Sequence, residues 1–398
     1  MNKKLLTVAI GAALAVPAFM AQADVKVYGR LQVEEGRVSV EPNGSAYTPT
    51  SGSAVSNSGH EADRWVTNDT GLGRLGVAVD EDMGGGWKAL GLIEMAIDTA
   101  DGLATDASST ITSTGSSITG TQGQMFAARE VYVGVSHKDI GTFKFGRHNS
   151  PYLNAGVALD PFVTTMLEAR GNLGMSSNKD GVLNGHSSFL NEGLVFNSNT
   201  WGGFAFQLYY GLDQSGTEAT KAGAQGVTGN NNLTGTKTAG DLSVNVGWAG
   251  GPAKVFASYA KQNISVVTGA TPTQLNDATS YQVGGSLTFG GTTLQLFYES
   301  ADLGIESTTA VTGRTWLGGG VKQTIGSIDL VANIVKYNAD AGAALEEEGQ
   351  YYVVGGIYNM SKTARVFAGY RATNNKLSAT DQVLRDERVT SIGLRKDF

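Results

Sequence analysis

Alternation is the dominant pattern in this chain. From Val25 onward, Val25, Val27, Leu31 and Val33 share one face of an extended segment, while Lys26, Tyr28, Arg30 and Gln32 share the other. That period of two predicts a strand with one apolar and one polar face. The same reading holds further on. Phe204, Phe206, Leu208, Tyr210 and Leu212 alternate with Ala205, Gln207, Tyr209 and Gly211. Leu294, Leu296 and Tyr298 alternate with Gln295, Phe297 and Glu299, and Val366, Ala368 and Tyr370 with Arg365, Phe367 and Arg371. In the last segment Ile392, Leu394 and Phe398 oppose Ser391, Gly393, Arg395 and Asp397. Lys396 interrupts that apolar face near its end, where a long stem lets the ammonium snorkel to an interface.

The connections alternate as well. Short turns are expected at 80–86, 201–203, 250–252, 290–291, 325–327 and 359–362, most of them rich in glycine, which supplies positive φ without steric cost. Between them lie long polar stretches such as 41–69, 99–123 and 213–240. Short turns on one rim and long loops on the other, with roughly 16 strands near the ~9–11 residues a tilted membrane strand needs, is the arrangement of an outer-membrane barrel. The expected fold is therefore all-β: a 16-stranded antiparallel transmembrane β-barrel occupying 24–398 as one domain. Closure removes the sheet edges that hydrocarbon would not tolerate. Aromatics near strand ends, among them Trp201, Phe204, Tyr298, Tyr358, Tyr370 and Phe398, suit interfacial girdles.

One stretch breaks the rhythm. Residues 143–190 open as a short strand, leave all regular pattern through Pro151-Tyr152 and Asp160-Pro161-Phe162, and only then resume alternation. An oversized excursion in a repetitive barrel is expected to fold into the lumen and narrow it.

Composition supports this class. Lys3-Lys4, the apolar run 5–19 and Ala21-Gln22-Ala23 form a secretory signal, so 1–23 are expected to be removed. The chain has no cysteine, which excludes a disulfide framework and thiolate metal sites. Glycine, at 55 of 398 residues, is about double its usual share, and charged residues make up 16% against about 25% in soluble domains. The net charge of −7 argues against a nucleic-acid partner, which selects a basic face. No later segment is apolar for the ~18 residues of a membrane helix.

Candidate chemistry is sparse. Gly71-Leu72-Gly73-Arg74-Leu75-Gly76 matches a dinucleotide fingerprint formally, but strand and turn follow where a helix is required. His60, His137, His148 and His186 lack ligand spacing and read as solvated loop residues. No G-x-S-x-G elbow is present, and His148 with Ser150 is the nearest approach to a hydrolytic pair. The reading is non-enzymatic, without cofactor or metal.

Several segments together resemble the general porins of Gram-negative outer membranes. These are Tyr28-Gly29-Arg30, Gly73-Arg74-Leu75-Gly76, the stretch from Asp82 to Ala89, Arg129-Glu130-Val131-Tyr132-Val133-Gly134, the stretch from Gly141 to Arg147, Ser150-Pro151-Tyr152 and the terminal Phe398. The resemblance implies an outer-membrane homotrimer that passes ions and small hydrophilic solutes by passive diffusion, with an inward-folded third loop. By that resemblance Arg30, Arg74, Arg129 and Arg147 line the basic wall, and Asp160 and Glu168 are the loop acids facing it. Where such porins often place arginine in the sixth strand, this chain reads Leu190-Asn191-Glu192-Gly193, which is expected to weaken the positive cluster. A barrel acting in surface binding or adhesion through loops such as 213–240 is the alternative.

Overall fold

The computed structural model describes residues 23–40, 62–68, 73–97, 109–113, 116–120, 126–169, 189–212, 241–262, 274–275, 277–306, 311–341, 346–378 and 383–398. The expected signal and most of the loops 41–69, 99–123 and 213–240 lie outside the described residues.

Sixteen strands form the wall. They are β1 (Asp24–Val40), β2 (Gly73–Gly84), β3 (Trp87–Ile97), β4 (Phe126–His137), β5 (Gly141–Asn149), β6 (Phe189–Ser198), β7 (Phe204–Gly211) and β8 (Leu242–Gly250), followed by β9 (Ala253–Gln262), β10 (Ala278–Phe289), β11 (Thr292–Asp302), β12 (Val311–Ile325), β13 (Ile328–Ala341), β14 (Glu347–Asn359), β15 (Ala364–Leu377) and β16 (Val383–Asp397). Each pairs antiparallel with its neighbours in chain order. β16 returns to β1, from Arg30 opposite Asp397 to Val40 opposite Glu387, and closes the ring. The terminal Phe398 completes the seam, its amide and carbonyl bonding the carbonyl and amide of Gly29 at 3.0 and 2.9 Å. A closed ring satisfies the backbone polar groups of the wall internally, as hydrocarbon demands.

Alternation sorts the two faces as expected. Val25, Val133 and Leu296 are 64–66% exposed, whereas Gln32, Glu34, Glu94 and Glu299 on the opposite face are buried. On the exposed face Tyr210, Tyr259, Tyr281, Tyr352 and Tyr370 stand toward the long-loop rim, and Trp87, Trp201, Phe204, Phe289, Tyr358 and Phe398 toward the short-turn rim. On β10 the band from Tyr281 to Phe289 spans, at ~3.3 Å per residue and a tilt of ~40°, about 20 Å, close to the ~25 Å apolar belt of outer-membrane barrels.

Several boundaries differ from the pattern-based reading. Residues 80–83 are strand, not turn, and β2 turns only at Gly84–Trp87. β15 runs on to Leu377 and β16 starts at Val383, beyond the alternating residues 365–371 and 391–398. Above the apolar belt both faces meet polar surroundings, so hydrophobic alternation fades while the hydrogen-bonded ladder continues. The expected loop 41–69 contains a strand, Ala62–Asn68, paired with Glu34–Val40 of β1. It lies on the side of β1 that β2 occupies lower down. The expected loop 99–123 holds a small hairpin of Ser109–Ser113 and Ser116–Gly120.

Candidate functional site

After β5 the chain enters a short helix, α1 (Pro151–Val157). Ser150 caps it, its Oγ accepting from the Leu153 amide at 2.9 Å, and Pro151 occupies the first turn, where a missing N–H costs nothing. The described segment continues to Ala169 and is bonded to the face of the sheet opposite the exposed apolar one. The Tyr152 amide donates to Ser243 Oγ (3.1 Å) and the Tyr152 carbonyl accepts from Gln282 Nε2 (2.5 Å). Burial pushes the Tyr152 phenol well above its ordinary pKa, with nearby Glu299 acting in the same sense. Further along, Gln32 Nε2 donates to the Thr164 carbonyl (2.7 Å), and the Met166 amide donates to Glu34 Oε2 (2.7 Å). Arg371 Nε donates to the Met166 carbonyl (2.6 Å), and the Tyr351 hydroxyl to the Leu167 carbonyl. Strands β1, β8, β10, β14 and β15 thus all hold one segment.

Apolar packing reinforces these bonds. Phe162 and Leu167 are fully buried in a cluster with Trp316, Val335, Tyr337, Tyr351 and Phe367 of the wall. The wall makes room with glycine: a Cβ on Gly355 would sit 2.8 Å from the Phe162 ring, and one on Gly369 2.7 Å from Leu167 Cδ1.

Asp160 and Glu168 knit the segment to itself. Asp160 Oδ1 accepts from the Phe162 amide (2.9 Å) and Oδ2 from the Ala169 amide (2.8 Å). Glu168 Oε2 accepts from the Thr164 amide at 2.6 Å. Thr164 has φ of 64°, the left-handed region that a β-branched residue adopts only at a cost. Its amide held by Glu168 and its carbonyl held by Gln32 fix it there.

Facing this segment is a cavity of about 610 Å³ lined by Arg30, Arg74, Arg129, Arg365 and Arg395, with Asp160, Pro161 and Phe162 on the loop side. Two carboxylates divide four of the arginines. Glu94, 3% exposed, accepts from Arg129 Nε (2.7 Å) and the Tyr28 hydroxyl (2.9 Å), and lies 3.7 Å from Arg74 Nη1. Asp397 accepts from Arg30 Nε (2.8 Å) and Arg395 Nε (3.0 Å). Among the described residues Arg365 makes no ion pair. A second cavity, of about 730 Å³, shares Asn154, Asp160 and Pro161 with the first, and is lined by amides including Asn197, Gln207, Asn245 and Gln295 and by Lys254 and Lys322.

The structure therefore gathers Arg30, Arg74, Arg129 and Asp160 around one cavity. Arg147 does not line it; its Nε bonds the Arg129 carbonyl (3.0 Å) and its guanidinium lies 5.1 Å from the Phe189 ring. Glu168 sits in the body of the loop. Arg129 carries the wrong parity for the wall, sharing it with exposed Val131 and Val133. A β-bulge resolves this: Ile93 pairs with Val131 and Met95 with Ala128, so Arg129 and Glu130 together oppose Glu94. Pattern reading placed Arg365 and Arg395 on the polar face without assigning them to the site, and it missed Glu94. Their signal was present: each is a charge at an inward parity position.

Two histidine readings need correction. His137 and His148 lie on strands, and His148 is 2% exposed with its ring 5.0 Å from that of Tyr132. His60 and His186 lie outside the described residues. Ser150 acts as the helix cap described above. The side chains of Asn191 and Glu192 also fall outside the description.

The closed barrel has counterparts among known proteins. A sequence profile described as Gram-negative porin matches residues 6–378. Among curated proteins none matches by sequence. Among solved structures, the chain is similar to an anion-selective porin from Comamonas acidovorans, at 18% identity and a TM-score of 0.66, covering 95% of this chain and 100% of that one. It is similar to the trimer form of in-vitro folded OmpT, an outer membrane protein of Vibrio cholerae (15% identity, TM-score 0.58, 94% and 99% covered). A Salmonella typhi OmpF complex with daunomycin aligns at 12% identity and a TM-score of 0.57, over 94% and 97%. At these identities the solved structures speak for the fold, and the profile match, spanning nearly the whole chain, shows that this protein belongs to the Gram-negative porin family.

Proposed function

We infer that this outer-membrane channel passes ions and small hydrophilic solutes by passive diffusion, that the segment from Pro151 to Ala169 folds into the lumen and narrows it, and that the narrow part prefers anions. The observation that carries the reading is the charge around the first cavity: Arg30, Arg74, Arg129, Arg365 and Arg395 stand against Asp160, Glu94 and Asp397. Glu94 and Asp397 each offset one of two arginines, so each trio keeps a unit of positive charge and Arg365 adds another. Asp160 is the acid on the loop side. A lumen with this balance concentrates anions, and water filling it spares solutes the cost of dehydration.

No covalent chemistry is needed for such transport, and the protein acts as a channel rather than an enzyme. Arg30, Arg74, Arg129 and Asp160 form the constriction, with Arg365 and Arg395 added to the wall. Arg147 supports it by holding the Arg129 carbonyl, and Glu168 by fixing the turn at Thr164. Residues 1–23 act as the export signal. The working form is a homotrimer, in keeping with the trimeric relative. The outward positions Ala89 and Gly91 of β3, without the tyrosines found on β7, β9 and β10, offer a smooth sector for subunit contact.

The test is reversal potential in a salt gradient across a planar bilayer. Arg365→Gln removes a cation that no described acid offsets and is expected to lower the anion-to-cation permeability ratio. Equal ratios in wild type and Arg365→Gln would remove Arg365 from the ion path.

A further inference from the structure

The cavity ringed by arginines has a second side, and that side is largely apolar. From the segment after β5 it takes Leu153, Val157, Pro161, Phe162 and Val163, with Asp160 as the one acid among the described lining residues there. Both Asp160 oxygens accept from amides of their own segment, those of Phe162 and Ala169. Thr165, also in the lining, has its hydroxyl engaged in both senses: it donates to the Phe162 carbonyl (2.8 Å) and accepts from the Leu167 amide (3.0 Å). Val157, Pro161 and Val163 are only partly buried, so they keep surface toward the cavity, whereas Phe162 is packed into the buried cluster with Ile357 and Phe367.

The wall side is built to hold negative charge. Arg365 and Arg395 are direct cross-strand partners on β15 and β16, a placement in which like charges repel. Arg30 follows on β1, opposite Asp397 in the register. Asp397 lies 3.0 Å from Arg395 Nε and 2.8 Å from Arg30 Nε. These three guanidiniums of the lining therefore have one described carboxylate between them. Phe189 adds an aromatic ring to the same lining, with the Arg129 and Arg147 guanidiniums 4.9 and 5.1 Å from its centroid, within cation–π range.

Resting on the reading of this channel as anion-preferring, we propose that the cavity recognises small organic carboxylates that carry an apolar body, of which an aromatic monocarboxylate is the simplest. The carboxylate supplies a second counter-charge among Arg365, Arg395 and Arg30, in the forked geometry that guanidinium favours. The body lies along Val157, Pro161 and Val163 and sheds its water there. Chloride uses only the charged half of the site. A polyhydroxylated anion uses that half as well, but lays its hydroxyls against side chains that offer them no partner.

The probes are benzoate and isonicotinate, alike in shape and in charge at neutral pH, the second carrying a hydrated ring nitrogen. Each is added in potassium chloride to the purified full-length channel in a planar bilayer, and the concentration that halves the chloride current is measured. Benzoate is expected to reach half-block at about a tenth of the isonicotinate concentration. Val157→Thr with Val163→Thr keeps the shape of both side chains and replaces a methyl by a hydroxyl in each; it is expected to reduce that preference to about twofold or less. Arg365→Gln should raise both half-blocking concentrations by the same factor. The preference is a ratio taken within one channel, so a change in conductance does not enter it, and the wild-type comparison decides even where the threonine pair fails to fold. Equal half-blocking concentrations in wild type would overturn the proposal and leave the anion preference standing. A preference unmoved by the threonine pair would also overturn it, since the apolar body would then lie elsewhere. A cation-selective reversal potential in chloride alone would overturn the anion reading and this proposal with it.

Discussion

Replacing Glu94 by Gln isolates the electrostatics of the arginine-lined cavity. Glu94 accepts from Arg129 and Tyr28 and neighbours Arg74 at 3.7 Å; glutamine keeps its size and one acceptor oxygen but removes the charge. For an ion passing roughly 8 Å away, one unit charge in water contributes about 0.5 kcal/mol before screening. With a Debye length of ~8 Å at 0.15 M, this falls to about 0.2 kcal/mol, with opposite signs for anion and cation. The anion-to-cation permeability ratio should then rise about twofold at 0.15 M and about fourfold at 0.01 M, where the Debye length is ~30 Å. These are lower bounds, since a narrow lumen screens less than bulk water. The assay is the reversal potential of the purified channel in a planar bilayer at both ionic strengths. The reasoning is refuted by an unchanged ratio, by a shift toward cations, or by a shift that does not grow as salt is lowered.

Three further outcomes follow from the same geometry. Asp160→Asn with Glu168→Gln should move selectivity toward anions. Because the side-chain amide introduced in place of the Asp160 carboxylate would turn an N–H donor against either the Phe162 or the Ala169 amide, at a cost of about 1–3 kcal/mol, single-channel current noise should rise too; an unmoved reversal potential removes these acids from the pore. Arg371→Leu removes the buried guanidinium that pairs with Glu387 and donates to the Met166 carbonyl, so unfolding in denaturant should come earlier by about 3–5 kcal/mol of stability. Leu296→Arg puts a charge on the exposed face opposite Gly285, midway between Tyr281 and Phe289; it should cost about 2–4 kcal/mol in folding into vesicles while leaving conductance unchanged, and a loss below ~1 kcal/mol would place Leu296 outside the membrane belt.

Most of the barrel was legible because its two faces meet such different solvents. Lipid outside and water inside impose a period of two that survives any loop variation, and Arg30 could be placed inward from its neighbours Tyr28 and Gln32. Arg129 could not, because its direction depends on a bulge, and one extra residue opposite Glu94 leaves no periodic trace. Arg365 and Arg395 were visible as inward charges, yet their membership of the site requires knowing that β15 and β16 close onto β1 beside Arg30. That proximity arises only from the ring. The polar ends of β15 and β16 were missed for a simpler reason: above the membrane, the contrast that generates alternation disappears. The excursion after β5 was evident from its length, whereas its anchors were not. Gln32, Glu34 and Gln282 carry no sequence signal beyond their polar character, and their role comes only from the backbone of Thr164, Met166 and Tyr152 lying against them.

The most direct test of the central claim is single-channel recording of the full protein in a planar bilayer under a tenfold salt gradient. An open barrel narrowed by an arginine-rich constriction predicts discrete, ohmic conductance steps and a reversal potential of the sign set by anion permeation. An absence of steps from folded protein, or a reversal potential set by cations, would contradict it.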